Sequence, residues 1–195
     1  MRIILIYIPR SGSTSILKYF SKLKPEYECI SDPWFEWMNE NVHFRKYQYD
    51  ELILKENVFI KVTYKKLPVS ITRIVKDFDK VIFLLRRGVK EQIESMVFAT
   101  ITQSFTDTSK KKYWDGVDSP EMVDDFIFLT ETFQTWANVY DKPLFYYEDL
   151  FYGDFDLIFK ELGIGFDERY FNEYLNKLNR YREGTLEQNN EKRLI

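Results

Sequence analysis

The chain has 195 residues, 45% of them hydrophobic and 30% charged, with a net charge of −3. This length and balance predict one globular domain over residues 1–195, and the charge excludes the basic face that general nucleic-acid binding needs. The single cysteine, Cys29, excludes an intramolecular disulfide and suits a reducing compartment.

Residues 3–8 are apolar and rich in β-branched side chains, which predicts a buried first strand. Six such residues are too few for a membrane span or a signal-peptide core, so a cytoplasmic protein is expected. A turn at 9–13 leads into a helix whose Ile16, Leu17, Phe20 and Leu23 share one face. A short strand is expected at 28–30, a short helix at 34–41 after Pro33, and a strand at 58–62. Residues 67–78 predict a helix, with Ile71, Ile74, Val75 and Phe78 on one side. A buried strand at 80–85 and a helix at 89–100 follow.

Residues 103–119 are polar and aperiodic, as expected of a lid or binding loop, and the run Lys110-Lys111-Lys112 lies within them. A long helix is expected at 120–140, a strand at 143–147, and helices at 155–162 and 167–178 before a polar tail. Alternating helices and fully apolar strands predict an α/β three-layer sandwich with a central parallel sheet. Ligands of such sheets bind at the carboxyl ends of the strands, so chemistry is sought just after each strand.

Pro9-Arg10-Ser11-Gly12-Ser13-Thr14 stands at the first of these ends. A glycine lets backbone turn tightly and approach a ligand, and free N–H groups at a helix start attract an anion. Arg10, Ser11, Ser13 and Thr14 add side-chain donors. The Walker A pattern of Gly-x4-Gly-Lys-Ser/Thr is absent. At every position the loop resembles that of the sulfotransferases dependent on 3′-phosphoadenosine 5′-phosphosulfate (PAPS), Pro-Lys/Arg-Ser-Gly-Thr/Ser-Thr. The resemblance implies a P-loop NTPase-like sulfotransferase fold, with Arg10, Ser11, Gly12, Ser13 and Thr14 at the donor's 5′ end.

Two later segments carry the same resemblance. Arg86-Arg87-Gly88 ends the strand at 80–85, and Ser95 lies eight residues after Arg87. That spacing is similar to the family's Arg and Ser that contact the 3′-phosphate, and the double Arg with Gln92 resembles the bacterial branch. The family has Asp or Asn and then Pro after the Arg, where this chain has Gly88 and Val89. Tyr147-Glu148-Asp149-Leu150, followed by Leu162-Gly163, resembles a late landmark of the fold and implies Tyr147 as an adenine contact. Arg182 with Gly184 is loosely similar to a segment that closes over the 3′-phosphate.

A general base assists sulfuryl transfer by taking the acceptor's proton. In the family's His branch a Lys-Thr-His leaves an early strand. Lys61 matches the Lys, Thr63 stands where the His would be, and the only histidine, His43, lies elsewhere. In the other branch a Glu-Pro follows the second strand. Asp32-Pro33 occupies that position, with Glu36 in reserve one helical turn on. Burial beside Trp34 and Phe35 is expected to make Asp32 more basic. Lys61 and Arg10 are expected to stabilise charge developing on the leaving phosphate.

The resemblance therefore implies sulfuryl transfer from PAPS to a hydroxyl or amine of a small-molecule, saccharide or peptide acceptor, with adenosine 3′,5′-bisphosphate as product. The acceptor pocket is expected from 34–50 and 103–125. No metal is expected, since no His/Cys/carboxylate ligand spacing appears, and no nucleic-acid partner or membrane span is expected. Two alternatives stand beside this reading: a P-loop-like kinase or nucleotide transferase, and a non-catalytic nucleotide-binding module.

Overall fold

A computed structural model describes residues 1–34, 47–102, 120–169 and 171–172. The chain runs β1 (Arg2–Tyr7), α1 (Ser13–Leu23), β2 (Glu28–Ser31), α2 (Tyr49–Ile53), β3 (Val58–Thr63), a 3₁₀ turn (Tyr64–Lys66), α3 (Ile71–Asp77), β4 (Lys80–Leu85), α4 (Val89–Thr102), α5 (Pro120–Tyr140), β5 (Leu144–Tyr146), α6 (Tyr147–Phe151) and α7 (Asp156–Glu161). The strands form one five-stranded sheet in the order β2-β3-β1-β4-β5, and every neighbouring pair is parallel.

The continuous apolarity of β1, β3 and β4 follows from burial on both faces. Ile3, Leu5 and Tyr7 pack with Ile16, Tyr19 and Phe20 of α1, Leu150 of α6, and Ile158 and Phe159 of α7. Ile4, Ile6 and Ile8 belong to the opposite cluster, with Leu52 of α2, Ile74 of α3, Ile93 of α4 and Phe133 of α5. The result is an α/β architecture with helices on both sides of a parallel sheet.

Local chemistry sets the ends of the helices. α3 begins at Ile71, four residues later than the expected 67. Pro68 disfavours helical backbone at Leu67, which is extended with ψ of 126°, and Ser70 stays extended as the N-cap. α2 was not expected from the sequence; a reciprocal capping box between Gln48 and Glu51 starts it. The expected strand at 143–147 ends at Tyr146, and Tyr147 opens α6. Helical backbone at 168–169 and 171–172 begins the helix expected at 167–178. The expected helix at 34–41, the loop at 103–119 and the polar tail lie outside the described residues.

The strand order locates the crevice. From β1 the chain passes through α1 to β2, on one side of the sheet's centre, whereas from β4 it passes through α4 and α5 to β5 on the other side. α1 and the α4–α5 pair cover opposite faces. Adjacent strands whose following helices diverge in this way open a cleft at their carboxyl ends. Residues 9–13 and 86–88 are the two segments that leave those ends.

Candidate functional site

Strain and close packing shape the loop after β1. Arg10 is left-handed, with φ of 70°, and Gly12 follows at φ of 82°. A Cβ at Gly12 would stand 2.7 Å from Tyr147 Cδ2 and 2.7 Å from Phe151 Cε2. Those two rings stack with centroids 4.5 Å apart, so α6 presses an aromatic plate against the glycine. The Gly12 carbonyl then accepts from Ser15 N and Ile16 N, which starts α1. Ser11 and Ser13 are buried and Thr14 is exposed. The Ser11 hydroxyl has no hydrogen-bond partner among the described residues.

α4 binds the loop from the β4 side. The Gln92 side-chain amide donates to the Pro9 carbonyl at 2.6 Å, and Arg10 Nε donates to Ser95 Oγ at 2.8 Å. Burial holds the Arg10 guanidinium below its ordinary pKa, and the positive charge of Arg86 adds to the effect. The two positive charges are therefore near enough to repel, beside backbone that carries the motif for an anion.

Arg86 and Arg87 leave β4 in different directions. Arg87 is half-exposed; it forks onto both Asp149 oxygens, with Nη2–Oδ2 at 2.7 Å, and lies 4.2 Å from the Tyr146 ring centroid. Its backbone N–H donates to Glu148 at 2.9 Å. Arg86 is only 20% exposed; its guanidinium lies 5.0 Å from the Tyr147 ring centroid and its Nε 3.4 Å from Glu148 Oε1. That Nε is buried and makes no hydrogen bond among the described residues. Tyr147 is thus buried, next to both Gly12 and Arg86.

A second polar cluster lies at the ends of β1, β2 and β3. Ser31, Lys61 and Leu5 are register partners across these strands, and the chain turns at Asp32 with φ of 46°. Asp32 N donates to the Lys61 carbonyl at 2.7 Å. Its carboxylate accepts from Tyr7 OH at 2.9 and 3.1 Å, Thr63 N at 2.9 Å, Ser31 Oγ at 3.0 Å and Lys61 Nζ at 3.4 Å. Lys61 and Asp32 are both buried. Burial depresses the Lys61 ammonium, and the Asp32 charge opposes this in part. Burial lifts the Tyr7 phenol far above its ordinary value, with the Asp32 charge acting in the same direction. Chemically, the cluster holds an ammonium and a phenol in fixed positions.

Among the expected site residues, the structure joins Arg10 to Ser95 and Asp32 to Lys61, and directs the Arg87 side chain to Asp149. Glu36, His43, Arg182 and Gly184 lie outside the described residues. Sequence reading overlooked Tyr7 and Arg86. Tyr7 is the one residue of 3–8 with a polar tip, and it stands at the carboxyl end where ligands bind. Arg86 is the first of a tandem pair, and adjacent strand-end residues leave on opposite sides. Among the described residues no group of three His, Cys, Asp or Glu is placed to hold a metal, and no helix is long and apolar enough to cross a membrane. No protein-family model matches the chain, and no curated protein resembles it significantly.

Proposed function

We propose that the chain is a PAPS-dependent sulfotransferase of the P-loop-like α/β type, transferring a sulfuryl group to a hydroxyl or amine acceptor. The observation that carries this reading is the Arg10–Ser95 hydrogen bond. It ties the loop after β1 to the helix after β4 across the crevice between diverging strands, joining two segments that each resemble a donor-binding motif. The residues fit an anionic donor: Ser11 Oγ and Arg86 Nε are buried donors lacking hydrogen bonds within the described structure, and Gly12 gives close backbone approach.

When bound, the donor supplies an activated sulfuryl group whose sulfur–oxygen bond to the phosphate breaks as the acceptor's bond to sulfur forms. Arg10 and the loop amides hold the phosphate and offset the negative charge it gains. The second guanidinium comes from the Arg86–Arg87 pair. Lys61 presents a fixed ammonium at the end of β3. Asp32, or Glu36 beyond it, takes the acceptor's proton.

The experiment is a screen for PAPS-dependent sulfation across sugars, phenols, peptides and lipids, with radiolabelled donor. Labelled product on one acceptor class supports the reading. The full engagement of the Asp32 carboxylate favours one alternative, a nucleotide-binding module without turnover. Donor binding with no labelled product on any class is its signature.

A further inference from the structure

We infer that Arg86, rather than Arg87, is the second guanidinium of the anion site, and that Arg87 acts as a strut between β4 and α6. The inference rests on the donor-site reading above and departs from the spacing that pointed to Arg87.

The two guanidinium groups have different partners. Arg87 makes a two-pronged pair with Asp149, lies over the Tyr146 ring, and has its backbone N–H tied to Glu148. A planar fork already matched to a carboxylate must give up both bonds before it meets a phosphate. All of these partners belong to the β5–α6 junction. They explain a structural role without a ligand: β5 has only three residues, and the fork locks the start of α6 against the end of β4. That lock matters to the loop, because α6 carries the Tyr147 and Phe151 rings that abut Gly12.

Arg86 differs in its burial and in its pairing. It is more deeply buried than Arg87. It stands over Tyr147, the ring that touches the loop glycine. Its acidic neighbour, Glu148, also accepts from the N–H groups of Arg87 and Gly88. Its Nε has no hydrogen bond among the described residues. Arg86 also lies close enough to Arg10 for the two charges to repel. Like charges crowded in a half-buried setting are tolerated when a ligand's anionic groups lie against both of them. Ser95, whose oxygen accepts from Arg10 Nε, then orients Arg10 instead of touching the ligand. The ligand class is a phosphate- or sulfate-bearing molecule with a dianionic group at the mouth of the 9–14 loop.

The test uses the full chain and titrates inorganic pyrophosphate and adenosine 3′,5′-bisphosphate by calorimetry. Arg86→Gln is expected to weaken both on the order of tenfold or more, the effect of losing a charge-assisted hydrogen bond. Arg87→Gln is expected to lower the melting temperature and to weaken both ligands by less than about threefold. Asp149→Asn, which releases the Arg87 fork, is expected to leave pyrophosphate affinity unimproved. If Arg86→Gln folds poorly, Arg86→Lys keeps the charge, loses the fork and shows the same order of effect. A larger loss from Arg87→Gln than from Arg86→Gln, or tighter binding on Asp149→Asn, overturns the inference. So does a wild-type chain that binds neither probe. Pyrophosphate binding lost on Arg86→Gln, without any bisphosphate binding, upholds the anion site and removes the donor reading.

Discussion

The Tyr7 hydroxyl lies 2.9 Å from one oxygen of Asp32 and 3.1 Å from the other, inside the sheet's carboxyl edge. With Ser31, Thr63 and Lys61 added, four donors converge on one carboxylate. A carboxylate offers about four lone-pair sites, so these four donors engage the whole Asp32 carboxylate. The same contacts make it the counter-charge of a buried lysine.

Asp32→Asn is therefore expected to cost about 3 kcal/mol of stability, the scale of stranding one partner of a buried ion pair. It is also expected to lower turnover by about 10²–10⁴ on any acceptor that the screen finds. Adding Lys61→Met removes the stranded charge. The double variant is expected to be more stable than the sum of the two single losses by about 1–3 kcal/mol. Denaturant unfolding measures this. A fully stable Asp32→Asn with abolished turnover would instead make Asp32 a base with little structural role.

Gly12 and Gly163 offer a matched comparison. Both have positive φ, 82° and 68°, but a Cβ at Gly163 would meet nothing within 4 Å. Gly163→Ala is expected to cost only the left-handed backbone, about 1–2 kcal/mol. Gly12→Ala carries that cost and the collision with Tyr147 and Phe151, so it is expected to be the more destabilising by at least about 1 kcal/mol. Phe151→Leu in the Gly12→Ala background is expected to recover part of the difference. Equal losses at the two glycines would mean that the aromatic plate yields freely.

Much of the fold was legible because periodicity reports burial. The run at 80–85 became β4 unchanged, and the apolar run at 3–8 shifted by one residue to become β1. α2 escaped because five residues carry too little period, and its signal is a capping pair. The site was legible in part. Motif order brought Arg10 near Ser95 and Asp32 near Lys61, since Arg10 and Asp32 follow strand ends and their partners lie on neighbouring elements. Tyr7 was hidden within an apolar run, although its parity with Leu5 sets it on the face of Lys61. Arg86 was hidden by spacing, which counts residues and does not say which way a side chain leaves its strand.

Cys29 gives a pH test. Burial pushes its thiol up to about 11 from an ordinary 9.0. The unfolded chain therefore releases this proton first. The stability that Cys29 contributes is complete below about pH 9 and is lost as pH rises from 9 to 11. Thiolate absorbance is expected to titrate near pH 11 in the folded protein and near 9 in denaturant. Cys29→Ala is expected to flatten the alkaline fall in stability, though not abolish it, since buried Tyr7 titrates in the same direction. A folded thiol titrating near 9 would contradict the burial of Cys29.

On the proposed reading, the loop at 9–14 and the end of β4 together bind a nucleotide with two separate phosphates. The most direct measurement is the melting temperature of the full chain with adenosine 3′,5′-bisphosphate and, separately, with AMP. At about 100 times the dissociation constant, linkage contributes roughly 2.7 kcal/mol. For a domain of this size that raises the melting temperature by about 5–10 °C. Such a rise is expected with the bisphosphate, and less than half of it with AMP at the same concentration. Equal rises with both ligands, or none with either, would contradict that reading.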